Sequence, residues 1–456
     1  METNNEFLGK EPVGKLLFKL ALPAITAQLI NMLYNLVDRI YIGHIPEIGS
    51  LALTGVGVCM PIIMLVSAFA ALVSMGGAPR SSIFMGRGDK TTAEKIMNNC
   101  FTMLLLISAI LTVILLFNQE TFLLMFGASE NTIGYALDYM GIYAIGTVFV
   151  QLALGMNSFI TAQGFAKTSM YTVLIGAITN IILDPIFIFG LNMGVKGAAL
   201  ATILSQAISA IWVIWFLSGK KTILKINLPA MKLDLKLILP CIALGVSPFI
   251  MQATESIIAV SFNSSLLRYG GDIAVGAMTI LTSVMQFSML PLQGLSQGAQ
   301  PITSYNFGAK NASRVKETFF KLVKASFTYS AILWLLIMLV PQGFASLFSP
   351  DPQLIEYTKN ALRIYMAVSF IFAVQISCQM TLIALGNVKA SVFLAILRKI
   401  LLLIPLIYIL PNIFTGNQTL AVYLAEPVAD IIAIICTVAL FTKEFKKALN
   451  KLEQGA

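Results

Sequence analysis

Long apolar stretches separated by short polar segments run along nearly the whole chain. A helix needs about 20 apolar residues to cross a bilayer core of roughly 30 Å, and polar residues, glycine or proline mark the ends of such stretches. The pattern predicts an all-α integral membrane protein with twelve transmembrane helices. The predicted spans centre on residues 15–42, 52–78, 94–118, 135–160, 168–190, 196–218, 237–264, 272–300, 317–345, 358–385, 390–411 and 419–442.

The first apolar stretch could be mistaken for a targeting segment. It is too long for the core of a signal peptide, carries Asp38 and Arg39, and lacks a small-residue cleavage site. We therefore interpret it as a true span.

Composition supports the membrane class and excludes several kinds of chemistry. Of the 456 residues 57% are hydrophobic and 11% charged, against about 25% charged in a soluble domain. The single histidine, His44, disfavours histidine metal sites and Ser-His-Asp hydrolases. The five cysteines are scattered and mostly lie in apolar stretches, so we expect no disulfide framework. The net charge of +9 fits basic cytoplasmic loops better than nucleic-acid binding.

The distribution of basic residues predicts the orientation. One set of alternate loops, which includes both termini, holds 22 Lys and Arg residues, whereas the other holds only Lys196, Arg268 and Lys359. Because basic residues near span ends are retained in the cytoplasm, we expect both termini to be cytoplasmic. The asymmetry also supports an even number of spans.

An internal duplication divides the chain into two copies of six spans. An even number of spans gives both copies the same orientation, as in transporters built from parallel repeats. The predicted lobes are residues 1–222 and 223–456, joined by a basic cytoplasmic linker at about 218–236, and the cleft between them is the expected substrate path. Six pairs share an offset of 222 residues: Gly76 and Gly298, Pro79 and Pro301, Gly86 and Gly308, Gly164 and Gly386, Lys167 and Lys389, Gly194 and Gly416.

Polar residues at similar depth in the first lobe form a candidate ion site. Asp38 in span 1 and Asp184 in span 5 lie in the outer part of the membrane, with Thr202 of span 6 at a matching depth. Asn180 lies four residues before Asp184, on the same helical face. Such a group suits proton exchange or Na+ binding by oxygen ligands. Alternatively, Asp184 caps a bend at Pro185 and Asp38 is solvated.

The second lobe carries fewer interpretable charges. Glu255 lies near the middle of span 7, where no base shares its depth, so it either binds a cation or substrate or is a protonated core residue. Arg398 and Asp430 differ in depth by only about 5 Å, which favours a structural ion pair over a substrate role. Glu426 and Lys399 remain unassigned.

Missing motifs narrow the class further. The GKKT stretch at Gly219 lacks the upstream glycine of a phosphate loop, and no nucleotide-binding domain is recognisable, so we expect no ATP-binding partner. No catalytic constellation supports an enzyme within the membrane, and a channel is less favoured still. A secondary transporter remains.

Several motifs resemble those of the multidrug and toxic compound extrusion (MATE) family, in particular its bacterial MepA-like branch. They are the opening KLALPAITAQLINMLYNLVDRIYIG, the GRGD block after span 2, and TNIILDPIFIFG followed by GVKGAALAT, and the resemblance covers essentially the whole chain. It implies an antiporter of the bacterial inner membrane that expels amphipathic cations in exchange for H+ or Na+, by rocking of two lobes. It also implies a monomer without cofactors.

The resemblance places the coupling cation in the first lobe. It implies a site formed by Asp38, Asn180, Asp184 and Thr202, with Asn157 and Tyr139 of span 4 as further members, and Na+ at Asp38 and Asp184 is the one metal ion expected.

The second candidate site departs from the family pattern. Another branch pairs a span 7 glutamate with an acid in span 10, but here Glu255 is accompanied only by Gln375, Gln379 and Arg398, so coupling through the first lobe is favoured. The competing function is a flippase for lipid-linked precursors, which would need a cleft rich in Arg and Lys.

Overall fold

The computed structural model describes residues 6–227 and 231–454, and within these ranges the regular structure is helical. The first half holds a short helix before the first span and then six spans, the fourth of them bent by 58° between its two helices. The helices are α1 (Phe7–Lys10), α2 (Val13–Gly43), α3 (Gly49–Gly86), α4 (Lys90–Met125), α5 (Ile133–Ile145), α6 (Thr147–Ala162), α7 (Ala166–Pro185) and α8 (Gly194–Ser218).

The second half repeats this order with more interruptions. Its tenth span bends by 47° between α13 and α14, and its eleventh passes through wide π-helical turns at Leu397–Leu403. The helices are α9 (Leu235–Ala253), α10 (Glu255–Gly308), α11 (Ala312–Leu339), α12 (Pro341–Ser346), α13 (Pro352–Tyr365), α14 (Ser369–Ala384), α15 (Val388–Ile396), α16 (Ile404–Ile413), α17 (Gln418–Tyr423) and α18 (Ala425–Gln454).

The described residues give the twelve-span fold once the bends are considered. Nine helical stretches are long and apolar enough to cross a membrane, and the two bent pairs bring the number to eleven. One of the nine, Leu235–Gly308, has 74 residues, far more than the roughly 20 that one crossing needs. Gly271 interrupts it with φ 67°, a left-handed conformation that glycine adopts readily, so this stretch supplies two spans. The predicted all-α membrane fold is confirmed.

Equivalent positions of the two halves have equivalent backbone features. α3 ends at Gly86 and α10 at Gly308, 222 residues later. Gly164 and Gly386, which have the same offset, both have positive φ at the turn between two spans. A separate apolar core fills the first half, and two others fill the second.

The linker between the halves is attached to the first half. Gln163 of α6 accepts hydrogen bonds at Oε1 from the backbone N–H groups of Ile223 (2.7 Å) and Leu224 (2.9 Å). Asn98 of α4 likewise accepts one from the Asn227 backbone at 2.8 Å. Residues 228–230 of the predicted linker lie outside the described residues.

The two halves cross closely at one end of the molecule. Gly76 of α3 lies against Cys241 and Gly245 of α9, with no room for a side chain. Gly86 lies against the end of α10, and Gly308 lies against the end of α3. These crossings are at the end that carries the α3–α4 loop, the α10–α11 loop and the linker. The cleft between the halves is therefore closed at this end.

Candidate functional site

Two carboxylates and an amide of the first half meet between α2 and α7. Asp184 and Asn180 are fully buried on α7, and Asn180 Nδ2 donates a hydrogen bond to Asp184 Oδ1 at 3.2 Å. The Asp38 carboxyl of α2 lies in hydrogen-bonding contact with that of Asp184. Asp184 is the last residue before Pro185, where α7 gives way to the π-helical turn Ile186–Gly190. The structure thus brings the three predicted residues together.

This group presents acceptor oxygens without donors. Among the described residues, Asp38 Oδ1, Asp184 Oδ2 and Asn180 Oδ1 are buried and have no hydrogen-bond partner. The neighbouring base, Arg39, is exposed and forms no ion pair with either acid in the described part of the chain. Buried acceptors are costly unless something donates to them or binds them. A proton shared by the carboxyls, or a cation that prefers oxygen ligands, satisfies them.

Two tyrosines surround the carboxylates. Tyr139 of α5 is buried and lies close to both Thr202 and Asp38, as the predicted site requires. Tyr34 lies close to both acids but is absent from the sequence-based site. Its position four residues before Asp38, on the same face of α2, is the signal that could have identified it.

Asn157 lies beside this group rather than within it. Its Oδ1 accepts a hydrogen bond from Thr172 at 2.9 Å, and its Nδ2 donates to the Ser169 carbonyl at 3.3 Å. It lines a cavity of about 50 Å³ that Tyr34, Asn180 and Thr202 also line. The cavity therefore connects Asn157 to the carboxylate pair.

A second polar group lies in the other half around Arg398. Its Nε donates to Asp430 Oδ1 and its Nη2 to Glu426 Oε1, both at 2.8 Å. The guanidinium also stacks on Phe372 at 4.3 Å. The Arg398–Asp430 contact is the pairing expected from the sequence, while Glu426, left unassigned there, is a further partner.

The expectation that no base shares the depth of Glu255 is wrong. Lys399 Nζ donates to Glu255 Oε1 at 2.6 Å. Depth along a span was counted at 1.5 Å per residue for straight α-helices. Thr254 breaks span 7 just before Glu255, and the π-helical turns at Leu397–Leu403 change the rise and direction around Lys399. Both departures defeat such counting.

The two span 10 glutamines line the same region as Arg398. Gln379 Nε2 donates to Ser247 Oγ at 3.2 Å, whereas Gln375 Oε1 is buried without a partner among the described residues. Both line a small cavity with Arg398 and Lys399. No cluster of three His, Cys, Asp or Glu side chains that could hold a metal ion occurs within residues 6–227 and 231–454.

Comparison with known proteins gives consistent matches along the chain. The MatE family model matches residues 23–186 and 248–409, one segment in each half. The chain is 26% identical over 435 residues to the multidrug export protein MepA of Staphylococcus haemolyticus (strain JCSC1435), covering 95% of each chain. It is 23% identical over 408 residues to MepA of Staphylococcus aureus (strain N315), covering 90% of this chain and 89% of that one.

Solved structures agree with these matches. The structure of the MATE multidrug transporter DinF-BH is 34% identical, with a TM-score of 0.89 and coverage of 97% of this chain and 98% of that one. A MATE structure in the bent conformation has a TM-score of 0.92 at 21% identity, covering 99% of this chain and 100% of that chain, and shows the likeness of fold.

Proposed function

Because this chain belongs to the MATE family of multidrug export transporters, we propose that it is an antiporter that exports amphipathic organic cations in exchange for H+ or Na+. The chain is a multi-pass membrane protein. The proposal places it as a monomer in the bacterial plasma membrane, with both termini in the cytoplasm and no ATP-binding partner. The distribution of basic residues supports that orientation.

The observation that carries the proposal is the set of unpartnered oxygens on Asp38, Asp184 and Asn180. Two carboxylates in contact repel each other when both are ionised, and burial strengthens that repulsion. Binding of one proton or one Na+ relieves the repulsion. The site can therefore alternate between a loaded and an empty state, as a coupling site must.

The closed crossing between the halves supports exchange by alternating access. In the proposed orientation the crossings at Gly76 and Gly308 seal the cytoplasmic side, so this conformation opens outward. Entry of a cation at Asp38 and Asp184 from outside then favours release of substrate. Binding of substrate from the cytoplasm favours loss of the cation, because linked equilibria are reciprocal.

Efflux from liposomes that contain the purified protein tests the proposal. We expect ethidium export under an imposed pH gradient or an imposed Na+ gradient, and the effective gradient identifies the coupling ion. Asp38→Asn and Asp184→Asn should abolish coupled export. Asp138→Asn is the matched control, since Asp138 is an exposed acid of the same half that lies 3.4 Å from Lys196. Full export by both site variants would refute coupling in the first half.

The flippase alternative has less support. The two bases at the second polar group, Arg398 and Lys399, are both engaged by carboxylates. They leave no free cationic surface there for a pyrophosphate group. Absence of ethidium transport under either gradient would nevertheless favour this alternative.

A further inference from the structure

Five ionisable side chains form one charge cluster in the second half of the described chain. Three are acids, Glu255, Glu426 and Asp430, and two are bases, Arg398 and Lys399. With all five ionised, the cluster carries one excess negative charge. A buried excess charge is unfavourable, so the cluster has room for one more cation.

The two bases of the charge cluster are held very differently. Arg398 donates to two buried acids and stacks on Phe372, so its guanidinium is enclosed by partners. Lys399 has a single hydrogen-bonded partner among the described residues, Glu255. The Lys399 side chain is 9% exposed, whereas that of Glu255 is 49% exposed. The Glu255 carboxylate is thus accessible on one side while the ammonium holds it from the other.

Glu255 lies where the two halves face each other. The next residue, Ser256, is 4.0 Å from the Met64 sulfur of α3, and Phe249 of α9 lies against Phe69 of α3 with ring centroids 5.0 Å apart. The exposed side of Glu255 is therefore close to the boundary of the cleft that we propose as the substrate path.

We propose that the Lys399 ammonium occupies the position that a cationic substrate takes at Glu255, and that substrate binding displaces it toward Glu426. Lys399 is then a specificity-determining residue, because only a positively charged group can replace the ammonium on the carboxylate. This inference rests on the proposed export of organic cations and adds the residue that sets the charge requirement.

Charge balance gives the displaced ammonium a destination. Lys399 also lies within electrostatic reach of Glu426 and Asp430, and Glu426 uses Oε1 for its contact with Arg398. With a monovalent cation on Glu255 and Lys399 moved toward Glu426, three positive charges face three carboxylates. The excess negative charge is then neutralised, which favours the exchange. An uncharged compound leaves that charge unbalanced.

Equilibrium binding to the purified full-length protein in detergent, with no gradient, tests the inference. The probes are ethidium, a monovalent cation, and Nile red, an uncharged dye. Lys399→Met removes the competing ammonium, so it should lower the Kd for ethidium by about tenfold to a hundredfold, the range for one charge-assisted hydrogen bond. The Kd for Nile red should not change. Lys399→Arg, which keeps the charge, should bind ethidium as the unaltered protein does.

Further variants locate the effect on Glu255. Glu255→Gln should weaken ethidium binding and leave Nile red binding unchanged, and Lys399→Met should have no effect on ethidium in its presence. Lys389→Met is the matched control, since Lys389 is an exposed lysine on α15, outside the cluster. If Lys399→Met does not fold, the Glu255→Gln and Lys399→Arg variants still decide the question.

Unchanged ethidium binding in Lys399→Met, or equal changes for both dyes, would overturn the inference. Equal binding of ethidium by Glu255→Gln and the unaltered protein would also overturn it. These outcomes are separate from failure of the proposed function, which would show as absent gradient-driven efflux while the binding measurements stand.

Discussion

Substitution of Gly76 by alanine should open the closed end of the cleft. A Cβ atom at this position would overlap the Cys241 carbonyl oxygen and would lie 2.7 Å from the backbone nitrogen of Gly245. Both atoms belong to the backbone of α9, so no side-chain rotation relieves the overlap. The two helices must separate instead.

The required separation sets the size of the effect. An ordinary contact is 3.4 Å or more, so the contact with the Gly245 nitrogen alone requires at least 0.7 Å of movement. A gap of about 0.5 to 1 Å already forfeits a quarter to a half of the dispersion energy between packed atoms. Overpacking of this kind costs about 1 to 3 kcal/mol. The population open at this end should therefore rise by about 5-fold to 150-fold.

Alkylation of Cys241 measures this opening directly. Its side chain is fully buried next to the crossing, whereas Cys59 and Cys378 are buried inside the separate halves. When opening is faster than alkylation, the alkylation rate follows the open population. Site-resolved mass spectrometry after maleimide treatment should show faster modification of Cys241 in Gly76→Ala, by about the factor above. The two internal cysteines should react as slowly as before.

Gly57→Ala is the matched control on the same helix. A Cβ at Gly57 meets no atom within 4 Å, so this variant should alkylate at the rate of the unaltered protein. Equal rates of Cys241 modification in Gly76→Ala and Gly57→Ala would refute the reasoning. A parallel rise at Cys59 and Cys378 would also refute it, because it would indicate general loosening of the fold.

Three further substitutions test other contacts. Arg314→Ala removes a guanidinium that donates to two backbone carbonyls before α2, at 3.0 and 2.7 Å, so limited trypsin digestion should cut that segment faster; an unchanged cleavage rate would contradict this. Gln163→Leu strands three linker donors, each costing about 1 kcal/mol or more, and should lower the thermal unfolding midpoint; an unaltered midpoint would argue against the linker attachment. Arg398→Met should cost about 3 to 5 kcal/mol because Glu426 and Asp430 are left buried without a base, and changing both acids to amides as well should restore much of the midpoint; no loss in the single variant would exclude a stabilising role.

The apolar pattern predicted the spans well because the bilayer imposes a minimum length on each apolar segment. The predicted fourth span, 135–160, lies within α5 and α6 even though the helix bends by 58° between them. The bend itself was not predictable, since Gly146 occurs within a continuous apolar stretch. The break at Thr254 escaped prediction for the same reason. Apolar length reports that a segment crosses the membrane and says little about its path.

Prediction of the sites depended on which helices become neighbours. Asn180 and Asp184 share a helical face, so their spacing alone brought them together. The contact between Glu255 and Lys399 joins spans 7 and 11, and it depends on a helix break and on π-helical turns. Neither feature has a clear sequence signal here. Counting depth along ideal helices therefore succeeded for Arg398 and Asp430 and failed for the lysine one residue later.

The two halves share an architecture and differ in how they balance buried charge. In the first half, two acids and an amide leave three oxygens without partners among the described residues. In the second half, three acids face two bases that the chain itself supplies. A site with an unsatisfied carboxylate pair must take its cation from solution, so its occupancy can follow a gradient. A site that already holds an ammonium on its accessible carboxylate admits another cation only by exchange. This difference in charge balance favours ion coupling in the first half and discrimination among cationic compounds in the second.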